Sequence, residues 1–480
     1  NLALKNLAFS SENSFFFKLS DTLKILDYEI KSSLDIIDLS IRNDLNLSNI
    51  FPNLVSQVNF KNHQTEIIFK KENFSIIGKG DFLIQKNYDK AYYKIEKKRD
   101  GLFFDIKLNF INNPININFL NYKSNSEIES SLELDGILLK DKTLNLKNIE
   151  FRSGNDLILL NGLELNNSLK ISNLKTGNFN FSDTQNIKNI FKIYKNKNDY
   201  IVSGKVINAS KLIDDLIFEN SKNRSFAYKD DIFKFDINEV YLDEDYIVYD
   251  LTGNLRFKNK NVISADIVSE FNDKEKIDFK IISNEDQKIT TFFSDKAAPF
   301  VKKFDFIKGF EKGSLDFYSI KSENLSNSKL KIYNFSLKEL PALTKILTLA
   351  SLQGIADLLS GDGISFSEFE MNFENKDKIM NINEIYAIGP AISILMEGYI
   401  EKNNLISLRG TLVPATTINK VIGSIPILGD ILVGKKTGEG VFGVSFKIKG
   451  PPKKLVTTVN PVKTLTPRFI TRTLERIKKN

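Results

Sequence analysis

Between residues 60 and 335 apolar and polar side chains alternate with a period of two, in runs of about 5 to 9 residues. Leu102, Phe104, Ile106, Leu108 and Phe110 alternate with Phe103, Asp105, Lys107 and Asn109. After an Asn112-Asn113-Pro114 turn, Ile115, Ile117 and Phe119 alternate with Asn116 and Asn118. The pattern returns at Leu132/Leu134, Leu144/Leu146, Phe233/Phe235/Ile237, Ile277/Phe279/Ile281 and Leu315/Phe317. Successive side chains of a strand point to opposite faces, so each run predicts a strand with one apolar and one wetted face. Asn, Asp, Gly and Ser-Asn turns separate the runs. Such strands fit a sandwich or a barrel. The length of 480 residues, without a Pro/Gly/Ser-rich linker, predicts instead a mainly β chain. Its antiparallel sheet would be long and curled, with the apolar face forming an elongated hydrophobic groove. Residues 1–290 read as the repetitive groove region and 291–480 as a distinct C-terminal region.

Helical spacing is rarer. Ser20 to Ile41, Asp183 to Tyr194, Ala209 to Asn220 and Asp295 to Phe304 are short helix candidates, the last with Asp295 as a possible cap. Stronger candidates concentrate near the C-terminus. They are an apolar helix at 341–359, a second at 418–433, and a basic amphipathic tail at 467–480 that starts after Thr466. Between the two apolar helices lies a predicted hairpin. Ile392, Ile394, Met396 and Ile400 share one strand face, and after the Lys402-Asn403-Asn404 turn Ile406, Leu408 and Leu412 share the facing one.

Composition narrows the chemistry. No cysteine is present, which excludes disulfides, thiolate zinc sites and a Cys nucleophile. The single histidine, His63, excludes His-based triads and multi-His metal sites. It stands in a polar run and reads as a solvated loop or strand-edge residue. Gly361-Asp362-Gly363 lacks the Lys-Ser/Thr of a phosphate loop, and no acidic pair stands out as a general acid/base dyad. We therefore expect no enzyme, metal or cofactor. The net charge of +7 is concentrated at the end: residues 447–480 hold ten Lys and Arg against Glu475 alone. That favours an anionic membrane surface or a solvated tail over nucleic acid. No run of about 18 apolar residues is long enough to span a bilayer. The chain begins at Asn1 without a signal-like segment, so an N-terminal anchor missing from this chain is expected.

The segments LTKILTLASLQGIADLLSGDGISFSEFE (343–370), AIGPAISILMEGYIEKNNLISLRGTLVPATTINKVIGSIPILGDILVG (387–434) and GEGVFGVSFKIKGPPKKLVTTVNPVKTLTPRFI (438–470) resemble the AsmA-like superfamily of proteobacterial envelope proteins, in particular its YhdP-type branch. Gly410 to Pro414, Asn419, Gly423, Ile425-Pro426, Gly429, Glu439-Gly440, Gly450-Pro451 and Val459-Asn460-Pro461 follow the family's order and spacing. Residues 93–110, 204–216 and 295–304 are more weakly similar. Lys453-Lys454 and Arg468 depart from the family pattern.

The resemblance implies a periplasmic protein, anchored to the inner membrane, whose curled sheet carries phospholipid between the inner and outer membranes. The period-two apolar residues of 102–119, 233–237, 392–400 and 406–412 are then the groove lining. Ile418, Ile422, Ile425, Pro426, Leu428, Ile431, Leu432, Arg468, Phe469, Arg472 and Arg476 are candidates for docking on a membrane surface, at one or both ends, or on an envelope partner. Roughly 25 strands about 4.8 Å apart would reach about 120 Å. The alternative is a non-enzymatic envelope scaffold, or regulator of outer-membrane biogenesis, with a conventionally packed core.

Overall fold

The computed structural model describes residues 4–42, 50–111, 113–217, 231–258, 261–284, 286–302, 308–339, 346, 363–390, 392–402, 404–414, 444–452 and 454–460. The chain forms two units, Asn1–Asn261 and Val262–Asn480. The first holds β1 (Leu4–Leu19), β2 (Ile25–Arg42), β3 (Gln57–Lys70), β4 (Phe74–Leu83), β5 (Asp89–Lys98), β6 (Gly101–Phe110), β7 (Asn116–Ile117), β8 (Tyr122–Lys123), β9 (Ser130–Leu139), β10 (Leu144–Ser153), β11 (Asp156–Leu165), β12 (Ile171–Asn173), β13 (Thr176–Ser182), β14 (Lys188–Asn196), β15 (Asp199–Asn208), α1 (Ser210–Ile217), β16 (Ile232–Tyr241) and β17 (Ile247–Lys258). The second, entered within β18 (Asn261–Glu270), holds β19 (Lys276–Ser283), β20 (Lys288–Ser294), α2 (Ala298–Val301), β21 (Lys308–Ser322), β22 (Leu325–Glu339), β23 (Ile364–Lys376), β24 (Ile379–Ile388), β25 (Ile392–Glu401), β26 (Leu405–Pro414), β27 (Val444–Gly450) and β28 (Val456–Asn460).

The chain is mainly β, and neither unit closes into a barrel. Within each unit strands pair with their neighbours in the chain, except that β13 joins β11 beyond the short β12, and β6 joins β9 across an insertion that holds the separate β7–β8 ribbon. Among the described residues β1 pairs only with β2, and β28 only with β27. The antiparallel expectation fails at one pairing: β15 and β16 run parallel. The connection through α1 crosses back before β16 starts, as a parallel pair requires.

The helix expectations need correction. Ser20–Ile41 is the turn and second strand of the β1–β2 hairpin. The doublets Ile25-Leu26 and Ile36-Ile37, which imitate helical spacing, sit at β-bulges: the register steps over Leu26 and over Ile37. Asp183–Tyr194 is a turn leading into β14. Asp183 accepts hydrogen bonds there from the Gln185 and Ile187 N–H groups, at 2.9 and 3.0 Å. Asp295 does not cap α2; its carboxylate accepts the Lys276 N–H at 2.7 Å, and the N-cap is Ala297. Two of the short candidates keep a helix, Ala209–Asn220 over Ser210–Ile217 and Asp295–Phe304 over Ala298–Val301. The described helices therefore do not gather at the C-terminus. Of 341–359 only Ile346 is described, helical and buried. The helix at 418–433 and the tail at 467–480 lie outside the described residues. No helix among the described residues is long and apolar enough to cross a membrane.

The turns of the first unit fall along two rims. One rim carries the 20–24, 71–73, 99–100, 140–143, 166–170 and 197–198 turns; the other carries the 50–56, 84–88, 111–129, 154–155 and 183–187 connections, α1 and 242–246. The 111–129 insertion is tied to the second rim by buried polar groups. Asp89, only 1 % exposed, accepts the Ile111 N–H and the Asn113 Nδ2–H, each at 2.7 Å. Gln85 Nε2 donates to the Pro114 carbonyl at 3.0 Å.

Burial pushes the Asp89 carboxyl up to about 6, against the downward pull of the Ile111 and Asn113 hydrogen bonds. The folded chain thus holds this proton more tightly than the unfolded one. The contribution of Asp89 to stability is greatest below the ordinary carboxylate range and falls as pH rises through about 6. Urea denaturation at several pH values between 4 and 7 is expected to show that fall in the wild type relative to Asp89→Asn, which has no proton to release. An identical pH slope in both proteins would refute the assignment. A Cβ on Gly78 would stand 2.5 Å from the Tyr93 ring. Gly78→Val is accordingly expected to cost about 1–3 kcal/mol, seen as a lower urea midpoint at unchanged slope.

Candidate functional site

In-register pairing of period-two strands lines their apolar side chains into rows that cross the sheet. In the first unit one row runs Leu34, Thr65, Gly78, Tyr93, Ile106, Leu134, Ile149, Leu160, Gly177, Ile193, Val202, Phe235, Gly253, from β2 to β17. Thirteen strands about 4.8 Å apart give such a row a length of about 58 Å. In the second unit a row runs Ile267, Phe279, Phe292, Phe317, Leu330, Met371, Ile385, Met396, Gly410, Phe446, Val459, through every strand from β18 to β28. No position in this second row is polar. Most members of both rows are half-buried. Among the described residues every extensive strand contact is with a hydrogen-bonded neighbour, and apart from the β7–β8 ribbon the strands of each unit belong to one sheet. Their shielding comes from the same sheet. One cluster joins Leu146, Leu163, Leu174 and Tyr200 to Phe104, Leu134, Ile149, Ile193 and Phe233; another joins Phe373, Ile382 and Ile385 to Phe317, Met371, Met396 and Leu408.

The groove residues expected from sequence divide into three groups. Leu102, Phe104, Ile106 and Leu108 stand half-buried on the apolar face of β6, with Phe233 and Phe235 on the same face of β16. Register places Ile106 and Phe235 in one row although 128 positions separate them in the chain. Ile394, Met396, Ile400, Ile406 and Leu408 hold the corresponding places in the second unit, with Ile394 opposite Leu412 and Ile400 opposite Ile406. Phe110, Ile237, Ile392 and Leu412 are buried, and Phe110 packs against Phe51 and Phe82. Ile115, Ile117 and Phe119 do not continue the sheet. Asn116–Ile117 pairs only with Tyr122–Lys123, Ile115 is buried, and Phe119 lies exposed in a 3-10 turn over Asn118–Leu120. The docking candidates from Ile418 to Leu432 and from Arg468 to Arg476 lie outside the described residues.

Ile149, Leu160, Ile193, Val202, Met371 and Ile385 belong to the rows and escaped the sequence reading. β11 is apolar on both faces (Leu157 to Leu160), which hides the period. Bulges near Lys147 and between Ile382 and Ile385 shift the alternation by one.

The apolar face of the first unit is closed along one rim and open along the other. Near the rim of the 111–129 insertion, Phe151, Ile158, Phe179, Phe191 and Ile237 form a fully buried row, and Tyr122 packs its ring edgewise on Phe151 and Phe181. Toward the opposite rim, Leu102, Leu144 and Ile171 are half-buried, and Leu138 and Phe69 are exposed. Exposure peaks on the β1–β2 hairpin. Phe15 and Phe17 stack on the apolar face, Phe16 projects from the other, and Leu23 at the turn is 77 % exposed.

The opposite face is polar, with exposed ion pairs such as Lys94–Glu96 at 2.8 Å and Lys107–Glu133 at 2.6 Å. Hydrogen bonds from Lys94 and Lys98 pull the Glu96 carboxyl down to about 2. A shallow depression between Asp105, Asp135, Asn148 and Asn161 lies on this face. Among the described residues no group of three or more His, Cys, Asp or Glu could hold a metal ion.

His63 corrects another expectation. It is 2 % exposed, not solvated. A bulge at Lys61–Gln64, with Asn62 at φ 54°, turns its ring inward. Its Nε2 donates to the Asp81 carbonyl at 2.9 Å, which leaves Nδ1 to accept from the Tyr93 hydroxyl at 3.1 Å; Tyr93 also meets Thr65 Oγ1 at 2.9 Å. Gly78 and Gly80 on β4 leave room for the Tyr93 and His63 rings.

No family model matches the chain, and no curated protein or solved structure matches it. Tyr93→Phe is expected to leave His63 Nδ1 without its donor and to cost about 1–3 kcal/mol. An unchanged urea midpoint for this variant would show that the hydroxyl is dispensable.

Proposed function

We propose that this chain is a non-enzymatic lipid carrier that holds the acyl chains of phospholipids against the apolar face of its sheet and conducts them between the two membranes of a bacterial envelope. The observation that carries the reading is the unbroken apolar row of the second unit, with its longer counterpart in the first, on faces that, among the described residues, no large second sheet covers. A phospholipid with two acyl chains exposes roughly 30 methylenes, so its passage through water costs on the order of 20 kcal/mol at about 0.8 kcal/mol each. A row that passes from strand to strand removes most of that cost at every position, and no step along it demands an energy source in the chain. Met371 and Met396 add unbranched, adaptable side chains that suit a disordered hydrocarbon. The resemblance of 343–470 to the AsmA-like superfamily supports the same reading, with a periplasmic location and an inner-membrane anchor.

One observation favours the scaffold reading. The closed rim, with Phe110 packed on Phe51 and Phe82 and Tyr122 packed on Phe151 and Phe181, is a conventional core that has no need of lipid. The two readings differ in what purifies with the protein. Native mass spectrometry and lipid extraction are expected to find phospholipid bound to the wild type. Ile106→Asp with Leu134→Asp, or Met371→Asp with Met396→Asp, should lower its occupancy about tenfold or more, while Asp105→Asn with Lys107→Gln on the polar face should leave it unchanged. Circular dichroism keeps an unfolded variant from being misread. A folded, lipid-free wild type that takes up none from labelled vesicles would establish the scaffold reading instead.

A further inference from the structure

We infer that a phospholipid bound to the first unit lies with its headgroup at the open rim, and that lysines on this rim select anionic headgroups. This rests on the reading above that acyl chains occupy the apolar face. An amphiphile on that face must keep its headgroup in water. The closed rim offers none beside the apolar rows, because Phe51 and Tyr122 roof them there.

Charge separates the rims in the same sense. Cations stand on the apolar face itself at the open rim, Lys97 and Lys195 among them. Lys97 ends β5 in register with Phe74 and Leu102. Lys195 ends β14 in register with Tyr200; its ammonium lies 5.5 Å over the Tyr200 ring and 2.6 Å from Asn173 Oδ1. Lys140 and Lys142 in the β9–β10 turn, and Lys170 in the β11–β12 turn, fill the stretch between them. Positive groups thus recur every two or three strands, about 10–15 Å apart. Asp141 in the same stretch is turned into its own loop, where it accepts the Thr143 N–H at 2.9 Å.

At the closed rim carboxylates outnumber Lys86 and Lys123, and two of them are already engaged by the protein. Asp89 holds the Ile111 N–H and Asn113; Asp156 accepts the Ser182 N–H at 3.0 Å and the Tyr122 hydroxyl at 3.3 Å. The Asp243-Glu244-Asp245 turn adds more negative charge on that side. A phosphate is attracted to one rim and repelled by the other, which fixes how the lipid lies across the strands. Each exposed phosphate–ammonium pair is worth at most a few-fold in affinity and is screened by salt.

The test uses the full chain and vesicles of equal phosphatidylglycerol and phosphatidylcholine. After separation, the bound lipids are extracted and quantified by mass spectrometry. The wild type is expected to enrich phosphatidylglycerol roughly three- to tenfold at low salt and to lose the preference in 1 M NaCl. Lys97→Gln/Lys195→Gln should bring the ratio close to that of the vesicles while total bound lipid stays the same. Lys86→Gln/Lys123→Gln, which removes the same charge from the closed rim, should retain the preference. A wild type that binds both lipids in the vesicle ratio overturns the headgroup assignment and leaves lipid carriage intact. Equal loss in the two variants also overturns it, by reducing the effect to net charge. A chain that binds neither lipid overturns both readings.

Discussion

Among the described residues the large sheet has no second layer of comparable size, so it has to shield its apolar face with its own side chains, and the rest of this structure depends on that constraint. In a sandwich each inward residue is covered by the facing sheet. Here the cover comes from the two neighbours along the row and from the rows on either side. That requires large side chains in register over many strands, as in Phe279, Phe292 and Phe317. It also requires space where rings meet the backbone. Gly78 lies under the Tyr93 ring, and Gly410 lies under the Phe446 ring, so these aromatics can lie down on the sheet and cover it. Burial achieved in this way is partial, which is why the rows stay half-exposed over most of their length.

Much of this was legible in the amino-acid sequence, and the failures have physical causes. β6 was plain because Leu102 to Phe110 alternates without interruption and every pairing of the strand is in register. The β1–β2 hairpin was read as helix because bulges set Leu26 and Ile37 beside other apolar residues, and adjacency of that kind is also what a helix face shows. The parallel β15–β16 pair left no local mark, since direction is decided by the length of a connection and not by the strand itself. His63 was misjudged for a related reason. Its neighbours Lys61, Asn62 and Gln64 are polar, but the bulge turns the ring out of the alternation and under Tyr93.

The candidate site was legible to a different degree. Its inner rows were visible wherever one face of a strand is polar, as in β6 and β16. They were invisible where both faces are apolar, as in β11. The distinction between the two rims could not be read at all. It arises from insertions, 50–56 and 111–129, the second of which reads as one more strand of the sheet through Ile115, Ile117 and Phe119, and from Phe51 and Tyr122, which reach the large sheet from outside its strands. What a groove does with its two sides is decided by these loops and not by the periodic pattern that makes the groove.

The pairing order has a further consequence. Within each unit, apart from β6–β9 and β11–β13, each strand is held by the strands next to it in the chain, so stability is distributed as in a linear array of repeats and not as in a globular core. Such an array can open locally without opening as a whole, and hydrogen exchange should be graded, fastest at the β1 and β28 edges and slower inward. The β15–β16 pair is the parallel one: its strands meet only after the chain has travelled through α1 and the 218–230 segment, so a loop must close before the pair can form. Strands on each side can zip as successive hairpins, but this junction has to be made by a longer-range encounter. It is where folding of the first unit should pause, and where an unfolding front travelling along the strands should be held up.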